Sequence, residues 1–115
     1  MIHQGEIYLA DFAEAGRHPV IVVLREPLNR GKYLLVVVCT SSRFETRQKL
    51  PNCVPFAAGQ FGFTKQCVAQ CENILSIELA QIDLDHSPVG SLDGAAMRQV
   101  VRAIGSVIDS DCEPL

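Results

Sequence analysis

A chain of 115 residues with 48% hydrophobic and 20% charged residues is long enough for one compact domain, residues 1–115, and is too apolar to be disordered. No apolar run reaches the roughly 18 residues of a bilayer span, and Met1–Glu6 lacks the basic and apolar blocks of a signal peptide, so a cytoplasmic protein without a membrane partner is expected. The formal charge of −3 is unevenly spread: residues 1–16 carry three acids and no bases, residues 17–65 sum to +6, and residues 66–115 sum to −6. Bases concentrated mid-chain either form one basic face toward an anion or scatter as solvated loop charges.

From Gly5 to Phe12, Ile7, Leu9 and Asp11 alternate with Tyr8, Ala10 and Phe12, a period of two with β-branched and aromatic members that predicts a first strand. Ala13 to His18 reads as a polar turn, after which Pro19 opens the continuous apolar run Val20–Leu24, a strand buried on both faces. Pro27, Asn29 and Gly31 turn the chain back into a third strand, Tyr33 to Thr40, completing an antiparallel meander. Ser41 to Leu50 has no apolar period and predicts an exposed loop or wide hairpin. Cys53–Phe56 reads as a short edge strand, Gly59–Gly62 as a turn, Thr64–Ile77 as a strand or strand pair, and Glu78–Asp83 as one helical turn.

Met97, Val100, Val101, Ile104, Val107 and Ile108 recur at helical spacing and predict a helix over about residues 92–109, with Ser91 as its N-cap. Short strands followed by one amphipathic helix indicate a mainly β fold, a small barrel capped by that helix. The five cysteines at 39, 53, 67, 71 and 112 read as buried thiols. Cys67 and Cys71 stand four apart but in a stretch read as strand, so no metal site is expected.

The ordered succession GEIYLADF, a proline opening VIVVL, VVVCTSS, FGFTKQCVAQCENILSI and VGSLDGAAMRQVVRAIGSVI resembles the PemK/MazF family of toxin endoribonucleases over nearly the whole chain. That resemblance implies an SH3-like barrel, a homodimer, cofactor- and metal-independent cleavage of single-stranded RNA, and a cognate antitoxin that blocks the site. The family's residue before the proline is usually arginine and serves in proton transfer and phosphate contact. This chain has His18 there, preceded by Arg17. The family's phosphate-holding threonine at the end of the third strand is matched by Thr40, with Ser41 following. The first loop is shorter than usual in the family, and Leu75 follows Glu72-Asn73-Ile74 where the family often has arginine.

Metal-free RNA cleavage requires removal of the 2′-OH proton, stabilisation of phosphorane charge and protonation of the 5′-oxygen. Imidazole, with a reference pKa of about 6.5, suits either proton transfer, and guanidinium suits phosphate. His18 is therefore assigned as acid or base, Arg17 as phosphate clamp, and Thr40 with Ser41 as hydroxyl donors. Adjacent strand residues face opposite ways, so Arg17 and His18 can both reach one phosphate only if they lie in the turn before Pro19. Arg25, Arg30, Lys32, Arg43, Arg47, Lys49 and Lys65 are candidate RNA-backbone contacts, and Phe44 a base-stacking residue, while Tyr8 and Phe61 are assigned to the core. Glu72 either orients a basic group or pairs with a lysine. The rival reading is an inactive barrel that binds RNA or protein. The gyrase-poisoning branch of the same fold works through a tryptophan-bearing tail, and this chain has no tryptophan.

Overall fold

The computed structural model describes residues 2–25, 31–83 and 88–109. Among the described residues six strands form one antiparallel sheet: β1 (Glu6–Asp11), β2 (Arg17–Val22), β3 (Tyr33–Thr40), β4 (Cys53–Phe56), β5 (Cys67–Glu78) and β6 (Gly90–Ser91), in the order β4-β5-β3-β2-β1-β6. The α-helices described are α1 (Phe44–Arg47) and α2 (Gly94–Ile108). The sheet curls into a half-barrel carrying the C-terminal helix, the mainly β architecture expected.

Alternation along the strands builds a core on each face. Ile7, Ile21, Val37, Cys39, Ala69 and Cys71 face α2 and pack on its Ala96, Val100 and Ala103. Tyr8, Ala10, Val20, Val22, Val36 and Val38 fill the other face together with Ile77 and Ile82. The 3-10 turn Leu79–Gln81 closes that second face: Ile82 bridges Ala10, and Asp83 N donates to Leu9 O at 2.9 Å.

Several local expectations are corrected. Asp93, not Ser91, caps α2, its carboxylate accepting from Ala96 N at 2.8 Å, because Ser91 is taken up in β6 opposite Glu6. Val101, Val107 and Ile108 lie exposed, since α2 meets the sheet along the stripe from Ala96 through Val100 to Ala103, with Met97 and Ile104 beside it. The 41–50 segment contains α1. Residues 67–78 form one strand, broken in register rather than split: Val37 pairs with Ile74 but Val38 with Gln70, leaving Cys71, Glu72 and Asn73 without partners on β3. That bulge bends β5 and turns Asn73 toward the open end of the sheet.

The most consequential difference concerns Arg17 and His18. They do not sit in the turn before Pro19; they begin β2, opposite Asp11 and Ala10 of β1. Pairing of β2 with β3 starts only at Val20 and Val38, so β2 is an unpaired edge on its β3 side through residues 17–19. Such an edge accepts proline within the strand, which explains why the strand starts ahead of Pro19.

Candidate active site at the open end of the sheet

Because the β2–β3 ladder stops at Val20 and Val38, the two strands part beyond it and leave a hollow of about 260 Å³. Arg17, His18, Thr40, Ser41 and Lys65 all line it, along with Phe63, Thr64, Cys39 and Cys67. Continuing the ladder's register places His18 across from Thr40 and Arg17 across from Ser41. One pair therefore belongs to each face of the sheet. Convergence arises at the strand edge, where side chains of both faces reach the same space, and not from a turn.

His18 Nε2 lies 2.8 Å from the Ala15 carbonyl oxygen. A carbonyl only accepts, so Nε2 carries the hydrogen and Nδ1 is the basic nitrogen of the neutral ring. The ring also rests 6.1 Å from the Phe12 ring, tilted by 52°. On its own face it joins Thr40, Phe12, Ala15, Gln70, Asn73 and Leu75 around a second hollow of about 250 Å³. Thr40 Oγ1 accepts from Ser42 N at 3.1 Å, which fixes the side chain and leaves its hydroxyl hydrogen to donate. Arg17 Nη2 donates to Asp83 Oδ2 at 2.7 Å; the bond uses one of five guanidinium N–H groups and leaves the rest of the fork for an anion.

The remaining candidates divide by position. Lys65 stands at the hollow, and Arg43 and Phe44 follow Thr40 and Ser41 closely in the chain, Arg43 exposed and Phe44 half-buried at the start of α1. Arg47 is half-buried, and Lys49 lines a different hollow, with Pro51, Val54 and Gln99 between β4 and α2. Arg25 and Lys32 are exposed beyond the opposite ends of β2 and β3, about 20–25 Å from His18 and Thr40 at the usual rise per residue. Arg30 lies outside the described residues, as do His86 and Cys112. Tyr8 is buried in the core, its hydroxyl donating to Glu6 Oε1 at 3.0 Å, and Phe61 packs edge-on against Phe56. Glu72 accepts from Asn52 Nδ2 at 2.8 Å rather than from a lysine.

Sequence reasoning did not single out Asp83, Phe12, Gln70 or Asn73. Asp83 is 66 positions from Arg17, and no local pattern marks the contact. Asn73 reaches the site through the β5 bulge, which the alternation from Thr64 to Cys71 hints at only by its weakness.

Comparisons with known proteins follow the same lines. Among solved structures, the chain resembles a mycobacterial endoribonuclease in complex with its cognate antitoxin (17% identity over 94% of this chain and 95% of that one, TM-score 0.77). It likewise resembles the Mycobacterium tuberculosis toxin MazF-mt6 (21%, 90% and 96%, TM-score 0.75). A third is a chain of the MazE–MazF structure from Deinococcus radiodurans (15%, 94% and 95%, TM-score 0.72). At these identities the likeness is one of fold. No curated protein matches by sequence. The family model for the PemK-like, MazF-like toxin of type II toxin-antitoxin systems matches residues 3–108, and the chain belongs to that family.

Proposed function

We propose that this protein is a toxin endoribonuclease that cleaves single-stranded RNA without a metal ion, acts as a homodimer and is neutralised by a cognate antitoxin. The observation that carries this reading is the gathering of an imidazole, a guanidinium, an ammonium and two hydroxyls around one hollow, in a member of this toxin family. The mycobacterial and Deinococcus structures of this fold that contain an antitoxin support the partner.

His18 Nδ1 takes the 2′-OH proton, or the ring in its cationic form returns one to the 5′-oxygen. Arg17 and Lys65 offset the charge that develops on the phosphorane oxygens, and the Thr40 and Ser41 hydroxyls donate to them. The hydrogen bond from Nε2 to Ala15 holds the ring so that Nδ1 is the nitrogen that exchanges protons.

The test incubates the purified chain with a long single-stranded RNA in EDTA, beside His18→Ala, Arg17→Ala and Thr40→Ala variants. Cleavage is expected to survive EDTA and to fall about a hundredfold or more in the His18 variant, the scale of losing a general acid or base. RNA binding with no cleavage by the unaltered chain would instead assign it as a binding module.

A further inference from the structure

Cys39, Cys53, Cys67 and Cys71 are buried free thiols, and the reaction proposed above uses none of them. Two of the four occupy a special position. Cys39 and Cys67 belong to the wall of the hollow that holds Arg17, Thr40, Ser41 and Lys65. Register explains how they meet: Cys39 pairs with Ala69, and Cys67 stands two residues along β5 on the same face, so the two are diagonal neighbours on adjacent strands.

The two side chains are near enough for the Cys39 thiol to hydrogen-bond toward Cys67. That bond holds the Cys67 thiol below its ordinary value against the opposing effect of burial. The same bond, followed by burial and the neighbouring thiols, pushes Cys39 well up. One member is thus disposed to be the thiolate and the other to hold its proton, the asymmetry that peroxide chemistry on a thiol pair needs. Both are buried, at 4% and 0%, so peroxide reaches them only from the hollow they wall.

We propose that Cys39 and Cys67 are an oxidisable dithiol that hydrogen peroxide converts to an intramolecular disulfide in the wall of the candidate active site. The Cys67 thiolate attacks one peroxide oxygen, the O–O bond breaks, hydroxide leaves, and Cys67 becomes a sulfenic acid. The Cys39 sulfur then attacks the Cys67 sulfur; the S–O bond breaks and the hydroxyl departs as water. Two thiols and one peroxide give one disulfide and two waters. Diagonal neighbours stand about 7–8 Å apart at Cα, more than a disulfide usually spans, so closing to an S–S bond of about 2.05 Å shifts the paired ends of β3 and β5 where Thr40 and Ser41 follow Cys39. The effect on catalysis rests on the ribonuclease reading; the disulfide does not.

The test treats the reduced full-length chain with millimolar hydrogen peroxide, blocks remaining thiols, and maps the peptides without reduction. A Cys39–Cys67 cross-link, a mass lower by two hydrogens, and reversal by dithiothreitol are the expected result. The cross-link is lost in Cys39→Ala and Cys67→Ala and kept in Cys53→Ala. A disulfide joining any other pair, Cys67 driven to sulfinic acid with no cross-link, or no oxidation at all overturns the proposal. The mapping uses the unaltered chain, so folding of a variant does not decide it. RNA cleavage by the oxidised chain is expected to drop about a hundredfold, the cost of misplacing reacting groups by about an ångström, and to return on reduction. Full cleavage with the disulfide in place overturns the coupling to the site. A chain that cleaves no RNA in either state sinks the ribonuclease reading, while the peptide map still decides the dithiol.

Discussion

On the proposed reading, His18 sets an imidazole where the resemblance leads one to expect arginine, and the guanidinium stands one residue back, at Arg17. Two residues near the cores bear on stability in alkali. Burial, then the charges of Cys53 and Glu72, push the Cys71 thiol up to about 12. Burial, the hydrogen bond to Glu6 and its charge raise the Tyr8 hydroxyl to about 12. Both lie above their unfolded values of 9.0 and 10.0. Their contribution is therefore intact below pH 9 and is lost as pH climbs toward 12. Urea midpoints measured from pH 8 to pH 11.5 are expected to descend, more gently in Cys71→Ala; a flat profile would contradict the assignment. Arg17, His18, Thr40 and Ser41 were singled out through the resemblance to the PemK/MazF pattern, before Pro19 and at the end of the third strand, and they do line one hollow. Asp83, the partner that steadies Arg17, was not singled out, because its contact is made only when the turn after β5 folds across β1.

At the scale of elements, β6 is only two residues long, yet it is locked in place. A Cβ on Gly90 would stand 1.6 Å from the Phe61 carbonyl oxygen, and one on Gly62, whose φ is +94°, 2.1 Å from the Val89 carbonyl oxygen. Backbone meets backbone there with no room for a side chain. Gly90→Ala is expected to destabilise by about 3 kcal/mol or more, visible as a lowered thermal midpoint or loss of soluble protein. A melting curve like that of the unaltered chain would show that the two segments do not touch. Such approaches leave no periodic trace, whereas β1, β3, β4 and α2 were readable from alternation and helical spacing. The start of β2 was misread because proline was taken as the strand's opening residue. Its tolerance inside the strand depends on β3 being absent alongside, a tertiary fact. The helix face was misread at Val101, Val107 and Ile108 because periodicity gives the apolar arc, while the small Ala96 and Ala103 decide which part of it meets the sheet.

Across the whole molecule, charge follows the strand ends. Arg17, Arg43 and Lys65 lie toward the open end of the sheet, Arg25 and Lys32 toward the other, and Lys49 at the hollow between β4 and α2, so the described bases of residues 17–65 do not gather on one face. If about three phosphates are neutralised at the open end, RNA affinity is expected to fall with salt at a log–log slope of about −2, less than the −3.5 that five contacts give. Removing Lys65 should flatten that slope and removing Lys32 should leave it alone; titrations at several salt concentrations distinguish the two. The unpaired start of β2 carries a final implication. Through residues 17–19 the rim of the hollow is one strand thick, with His18 rooted on one face and Arg17 on the other and both reaching over its edge. Whatever is gripped from both sides must be slender and pliant enough to drape over it, and a rigid duplex is neither. On the reading proposed above, unpaired RNA is then the expected substrate, and duplex RNA left intact beside a cleaved single strand is the result that checks it.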